Sequence, residues 1–319
     1  MSNTPKIAII GSATIDKNVK GSRSIRKIGG TVTYAGITFQ KHGLPTVIVS
    51  NIAPQDSGLL RTLRQQGLAV CSSPTEVTTS FVNHNDGDYR WQEMNSKASP
   101  ITVDQSQSII EKVDHVHLGP LHPSDIEPEL FLLLGKQPCF VSLDVQGYVR
   151  EINHGRVRLK VSETLHKVLF SVQVIKADHL ELDAILQFYQ MDCKTLKEFY
   201  GLRELVITKG DEGGYIMADE KVSFEAKPVT RIIDTTGAGD IFFAAYLIYR
   251  FHKHRNISES SQYAASIAAR YVAGQYIPVG QLKLPSSRLN YGHTEDKFSE
   301  ENRHKDVILA NGRRIQIGH

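Results

Sequence analysis

The chain has 319 residues, 40% of them hydrophobic and 22% charged, a composition that suits one α/β core with a minor subdomain and enough apolar side chains to bury. With 37 Lys and Arg against 34 Asp and Glu, the net charge is +3, too small to argue for nucleic acid or an anionic membrane surface as a partner. KIAIIGSATID, from Lys6, is a β-rich apolar run ending in a glycine and reads as a buried opening strand. Its apolar stretch, Ile7 to Ile10, is too short for a signal-peptide core. KNVKGSRSIRKIGG follows without helical period, and its basic residues Lys17 to Lys27 read as a solvated loop or lid edge. Thr31 to His42, with Ala35, Ile37, Thr38 and Phe39, predicts a helix stopped by Gly43. TVIVSNI is a second buried strand, and DSGLLRTLRQQG a helix with Asp56 as its cap. This is the rhythm of a doubly wound, mostly parallel sheet.

The rhythm breaks between about Ser73 and Ile101. TTSFVNH and YRWQEM alternate apolar and polar residues around NDGD, a hairpin signal. Such a hairpin must lie outside the main sheet, and residues 73–101 with 13–30 predict a small β lid. Strands then resume at HVHLG, CFVSLDV, VQVIKA and LVITKG, with helices at IEPELFLLLG and LELDAILQFY. GGYIM and VSFEA form a late hairpin. The longest apolar run, Ile241 to Tyr249, has nine residues, about half of the ~20 that span a bilayer. Cys71, Cys139 and Cys193 lie far apart in no CxxC spacing, so neither a disulfide framework nor a structural zinc site is expected. These features predict a cytoplasmic protein. Residues 281–319 form a polar tail with no functional reading.

The chemistry is concentrated in IIDTTGAGDIFFAAYLIYR, residues 232–250. A glycine-rich turn, Gly237-Ala238-Gly239, joins a β-type run to a helix that is apolar nearly all round and therefore buried. Its N-terminus offers free N–H groups and a positive dipole end to whatever fills the adjoining cleft. No GxxxxGK[ST] sequence occurs, so this anion site is not a P-loop. A carboxylate beside a bound phosphate would repel it if binding were its only task. Asp240 makes sense as the base that takes a proton from an attacking hydroxyl. The competing reading is an ordinary Gly-rich turn with Asp as a helix cap, and a lone GAGD would favour it. The whole string, with Asp234, Thr235 and Thr236 ahead of it, favours catalysis.

DTTGAGD resembles the C-terminal signature of the ribokinase-like carbohydrate kinases, the PfkB family, and the resemblance runs from about Lys6 to Gly274. It implies an ATP- and Mg²⁺-dependent kinase acting on a hydroxyl of a sugar, cyclitol or nucleoside, within a domain of residues 1–280. By resemblance Asp240 is the catalytic base and Gly237, Ala238 and Gly239 form the anion hole. Asp16 and the diglycine Gly29-Gly30 hold the substrate. Where the family carries an asparagine after the diglycine, this chain has Tyr34. Gln146 likewise replaces the asparagine of an Asp-x-Asn pattern begun by Asp144, with Arg150 beyond it read as a surface charge. Asp178 and Glu181 resemble an Asn-x-x-Glu element that organises magnesium through water, although Asp178 would also suit a helix cap. Thr208 and Gly210, with Thr236, resemble the nucleotide-binding strand end and loop. A homodimer through paired lids is also implied. His115 and His117 share a strand face but lack a third ligand, and they read as satisfied core or cleft histidines rather than a metal site. A sugar-phosphate acceptor would require an additional cationic site, which the sequence does not display. The alternative in another class is a non-catalytic sugar sensor on the same fold.

Overall fold

The computed structural model describes residues 6–86, 89–284, 307–308 and 314–315. Strands in its body lie at Ile7–Ile10 (β1), Thr14–Lys20 (β2), Arg23–Gly29 (β3), Thr46–Val49 (β4), Ala69–Cys71 (β5), Ser80–Asp86 (β6), Tyr89–Ser96 (β7), His115–Leu118 (β8), Phe140–Asp144 (β9), Arg150–Asn153 (β10), Arg156–Leu159 (β11), Val174–Asp178 (β12), Glu204–Thr208 (β13), Gly214–Met217 (β14) and Lys221–Phe224 (β15). Helices lie at Thr31–Lys41 (α1), Ser57–Gln65 (α2), Val103–Ile110 (α3), Glu129–Leu134 (α4), Thr164–Leu169 (α5), His179–Tyr189 (α6), Cys193–Tyr200 (α7), Ala238–Leu247 (α8), Ile257–Val272 (α9) and Val279–Leu282 (α10).

The main sheet has the order β15-β14-β13-β12-β9-β8-β1-β4-β5. From β13 to β5 every neighbouring pair is parallel, and β14–β15 is the late hairpin, added antiparallel at the β13 edge. Strands buried on both faces explain the near-continuous apolar runs in the sequence. Side chains alternate along β1: Ile7 and Ile9 join the core under α1, α2, α8 and α9, while Ala8 and Ile10 join the core under α3 to α7. Helices therefore cover both faces, as the strand-helix rhythm predicts. Among the described residues no helix is long and apolar enough to cross a membrane.

A second sheet, ordered β10-β11-β7-β6-β2-β3, lies outside the first. Its core strands come from the segments expected to form a lid. It also recruits β10 and β11, a hairpin that begins at Arg150. Their two-residue connection, His154 and Gly155, has φ of 47° and 80°, and two positive values in succession give the twist that closes a tight hairpin. Part of the NDGD turn, Gly87-Asp88, and most of the 281–319 tail lie outside the described residues. Within that tail, Val307–Ile308 pairs antiparallel with Arg314–Ile315.

Candidate active site

Groups with chemistry collect at the carboxyl edge of the parallel sheet, where α/β folds present ligand-binding side chains. A cavity of about 150 Å³ opens there, between that edge and the second sheet. Asp16, Gly30, Tyr34, Gln146, Thr236, Gly237, Gly239 and Asp240 all line it, so eight of the residues singled out in the sequence meet around one space.

Two helix N-termini converge on it. α1 starts after Gly30 and α8 after Gly237, and neither cap residue offers a side-chain bond to the first turn. Gly237 has φ 86° and ψ 2°, and a Cβ there would stand 2.4 Å from Cδ2 of Tyr34. Both the left-handed backbone and the ring beneath it demand glycine. Ala238 spends its N–H on Thr235 O at 3.2 Å. Among the described residues, the amides of Gly237, Gly239 and Asp240 have no partner, so the loop presents a nest of free donors.

The loop is tied down from three directions. Tyr271 donates its hydroxyl to Thr236 O at 2.6 Å, Ile233 N–H reaches Val272 O at 2.8 Å, and Thr236 N–H reaches Asp234 Oδ1 at 2.9 Å. The other oxygen of Asp234 pairs with Lys27, which is 2% exposed. Lys27 is thus a buried cation joining β3 to the glycine loop, not part of a solvated basic stretch. Tyr34 is 1% exposed. One side of its ring packs on Gly237, and the Lys27 ammonium lies 5.7 Å from its centroid.

Asp240, in the first turn of α8, is 8% exposed. Burial, and then the Asp144 carboxylate, push its pKa up to about 7, while Lys176 and Arg150 pull it back. Asp144 is fully buried at the end of β9. It accepts from Gln146 N–H at 3.2 Å and from Lys176 Nζ at 3.0 Å. Burial alone would lower the Lys176 pKa, but Asp144, Glu181 and Asp240 together hold it above the ordinary lysine value. A Cβ placed on Gly239 would lie 3.3 Å from Lys176 Nζ, which puts a fixed ammonium against the glycine loop. Arg150 lines the same cavity and donates Nη2 to Gln146 Oε1. It is not a surface charge; burial lowers its pKa, against Glu181, Asp144, Asp240 and Asp16, which favour its charged form.

On the far wall, Asp16 is 5% exposed. Burial raises its pKa, opposed by the Thr14 hydroxyl, which donates to Oδ1 at 2.6 Å, and by Lys27 and Arg150. A Cβ on Gly29 would fall 2.0 Å from Asp16 Oδ2, so glycine there makes room for the carboxylate. Gln92, from β7, adds an amide to the wall, oriented by donation to Asn83 Oδ1 at 2.7 Å.

Asp178 and Glu181 stand apart from this lining. They form a reciprocal capping box at the start of α6, each carboxylate accepting the other's N–H at 2.8 Å. Glu181 Oε1 has no partner among the described residues. Among the described residues no three acidic, His or Cys side chains gather closely enough to hold a metal. Thr208 and Gly210 lie at the end of β13 and the turn after it, also outside the small cavity. His115 and His117 share Ser142 Oγ, at 2.7 and 2.8 Å, and His115 reaches His252 at 3.0 Å, which makes them core histidines in a hydrogen-bonded chain.

Residues 40–276 match the pfkB family of carbohydrate kinases. The chain is 27% identical over 238 residues to a fructokinase of Rhizobium leguminosarum bv. trifolii, covering 69% of this chain and 70% of that one. Its fold resembles a pyrophosphate-dependent kinase of the ribokinase family solved with a pyrophosphate analogue and myo-inositol, with a TM-score of 0.75, 23% identity, and coverage of 86% of this chain and 97% of that one. It also resembles Arabidopsis thaliana ribokinase solved with ribose and ATP, with a TM-score of 0.68, 18% identity, and coverage of 88% and 96%.

Proposed function

From the premise that the chain belongs to the pfkB family of carbohydrate kinases, and so is a phosphotransferase acting on a sugar or polyol hydroxyl, we propose that it transfers the γ-phosphoryl group of ATP, with Asp240 as the base. The observation that carries this reading is the juxtaposition of Asp240, its pKa raised to about 7, with the free amides of the Gly237–Asp240 turn. Asp240 takes the proton of the acceptor hydroxyl as that oxygen attacks phosphorus, and the anhydride bond to the leaving ADP breaks. The Gly237, Gly239 and Asp240 amides, Lys176 and Arg150 face the charge that develops on the transferred group, in a cavity closed enough to strengthen them. Mg²⁺, when bound, would neutralise phosphate charge, and Glu181 Oε1, which has no partner among the described residues, would hold it through water.

Asp16 accepts from acceptor hydroxyls, with Gly29 and Gly30 providing close backbone approach and Gln146 and Gln92 contributing amides. The second sheet serves as a lid that excludes water and limits ATP hydrolysis. Because a Cβ at Gly29 collides with the Asp16 carboxylate, Gly29→Ala should raise the acceptor KM by about 10- to 100-fold, the worth of a charge-assisted hydrogen bond. The ATP KM should stay unchanged. Steady-state kinetics with each substrate varied checks this split, and equal rises in both constants would count against Asp16 as an acceptor ligand.

A nucleotide donor is favoured by apolar surface beside the loop. Ile232 and Ile233 are 68% and 42% exposed, and Ile233 packs against Gly274 just beyond α9. Such a surface suits the face of a base, which pyrophosphate lacks. The test is phosphorylated-product formation from pentoses, hexoses, inositols and nucleosides with MgATP or magnesium pyrophosphate as donor. Turnover with ATP supports the reading, and turnover with pyrophosphate alone replaces the donor.

A further inference from the structure

A second and larger cavity, about 570 Å³, lies beside the first, between the ends of the second sheet and the loop after β8. Arg150 lines both. The other titratable groups in its wall are Lys97, His122, Lys160 and Glu151, and burial lowers the His122 pKa, which favours the neutral ring. Among the described residues Glu151 is the sole carboxylate there, and it is already paired with Lys160 at 2.5 Å. Lys97 is exposed at the rim, where its Nζ meets the Ser124 hydroxyl, at 3.2 Å, and no carboxylate among the described residues. Arg150 leaves Nη1 buried without an acceptor. His122, 1% exposed, likewise leaves Nε2 without a hydrogen-bond partner, and the nearest carboxylate oxygen, on Asp125, is 3.6 Å away. Once the Lys160–Glu151 pair is set aside, the walls carry one exposed lysine with no carboxylate partner and two buried nitrogens, Arg150 Nη1 and His122 Nε2, with no hydrogen-bond partner among the described residues. Native interiors rarely leave such groups unmatched, and a ligand supplying oxygens would match them.

We propose that this cavity receives an oxyanion, a carboxylate or phosphate, carried by the acceptor on the end away from the hydroxyl that is phosphorylated. The acceptor class is then an acidic or already phosphorylated polyol. This rests on the assignment of the Asp240 cavity as the centre of phosphoryl transfer. The two cavities meet at Arg150, so a molecule longer than a single ring can place its hydroxyl at Asp240 and its anion beside Lys97. These basic residues come from separate segments, around β7, β8, β10 and β11, which is why the sequence displays no cationic site.

The test compares the full-length protein with Lys97→Met. D-gluconate and fructose 1-phosphate serve as anionic probes, distinguishing carboxylate from phosphate, and D-fructose and myo-inositol as neutral references. Each is measured in turnover and, without donor, by calorimetric titration. The expected result is that at least one anionic probe binds more tightly than both references, and that Lys97→Met weakens it by about 10-fold, the low end for a charge-assisted contact, with neutral acceptors as before. Calorimetry keeps the outcome decisive if no compound turns over: loss of anion binding in Lys97→Met supports the site. Absence of anion binding in the wild type, or binding indifferent to Lys97→Met, overturns it. Phosphorylation of the neutral references alone also overturns it, while leaving Asp240 in its role.

Discussion

Replacing Asp240 with asparagine lowers kcat by about 10²- to 10⁴-fold, the usual worth of a positioned base, while the fold becomes more stable above neutral pH. The loss follows from chemistry: an amide of the same shape cannot accept the hydroxyl proton, and its N–H₂ group would oppose an incoming hydroxyl. Residual turnover remains because the free amides of the glycine loop and Lys176 are untouched. The stability gain follows from linkage. Asp240 ionises with a pKa near 3.8 in an unfolded chain and about 7 in the fold. A raised pKa means that the folded state binds the proton more tightly, so this contribution is present at low pH and lost as pH climbs through about 7. Asparagine never ionises and avoids that loss. Thermal melting at pH 8 should therefore favour the variant, and the advantage should vanish near pH 4. Loss of rate together with loss of stability at pH 8 would point to damaged folding instead of a missing base.

Lys176→Met carries the second large effect, on stability, rate and pH dependence together. Its ammonium sits 3.0 Å from Asp144, which has no exposed surface. Removing one partner of a buried pair strands the other, at a cost of about 3–5 kcal/mol. The same ammonium lowers the pKa of Asp240, so in the variant the base should ionise at higher pH and the acidic limb of the rate profile should move upward. The double variant Lys176→Met/Asp144→Asn should recover stability, because the buried Asp144 charge is no longer stranded, without recovering rate, because nothing replaces the cation at the glycine loop. Denaturant unfolding and kcat measured across pH separate these outcomes. A Lys176→Met protein as stable as wild type, with an unmoved limb, would take Lys176 out of the site.

Local sequence carried much of this architecture. The strand-helix rhythm, the glycine loop opening an apolar helix, and the hairpin interrupting the α/β pattern are each written within a short segment, where backbone propensity and side-chain period decide the outcome. Charges paired over long distances were harder to read. Lys27 looked like one of several solvated basic residues because its partner, Asp234, lies 207 positions away. Arg150 looked like a surface charge because the hairpin it begins turns at His154-Gly155, which lacks the usual Asn-Gly or Asp-Gly pair. Lys176 did leave a signal: in VIKAD it is a charged residue within a parallel strand buried on both faces, and such a position requires an ionic partner. The capping box of Asp178 and Glu181 was legible from their spacing of three.

The most direct measurement is kcat/KM for a phosphorylated acceptor between pH 5 and pH 9. With Asp240 as a base of pKa about 7, the value should rise tenfold per pH unit on the acidic side and level off above neutrality. A profile already flat from pH 5 upward would mean that no group in the Asp240 environment must lose a proton for transfer, contradicting the account.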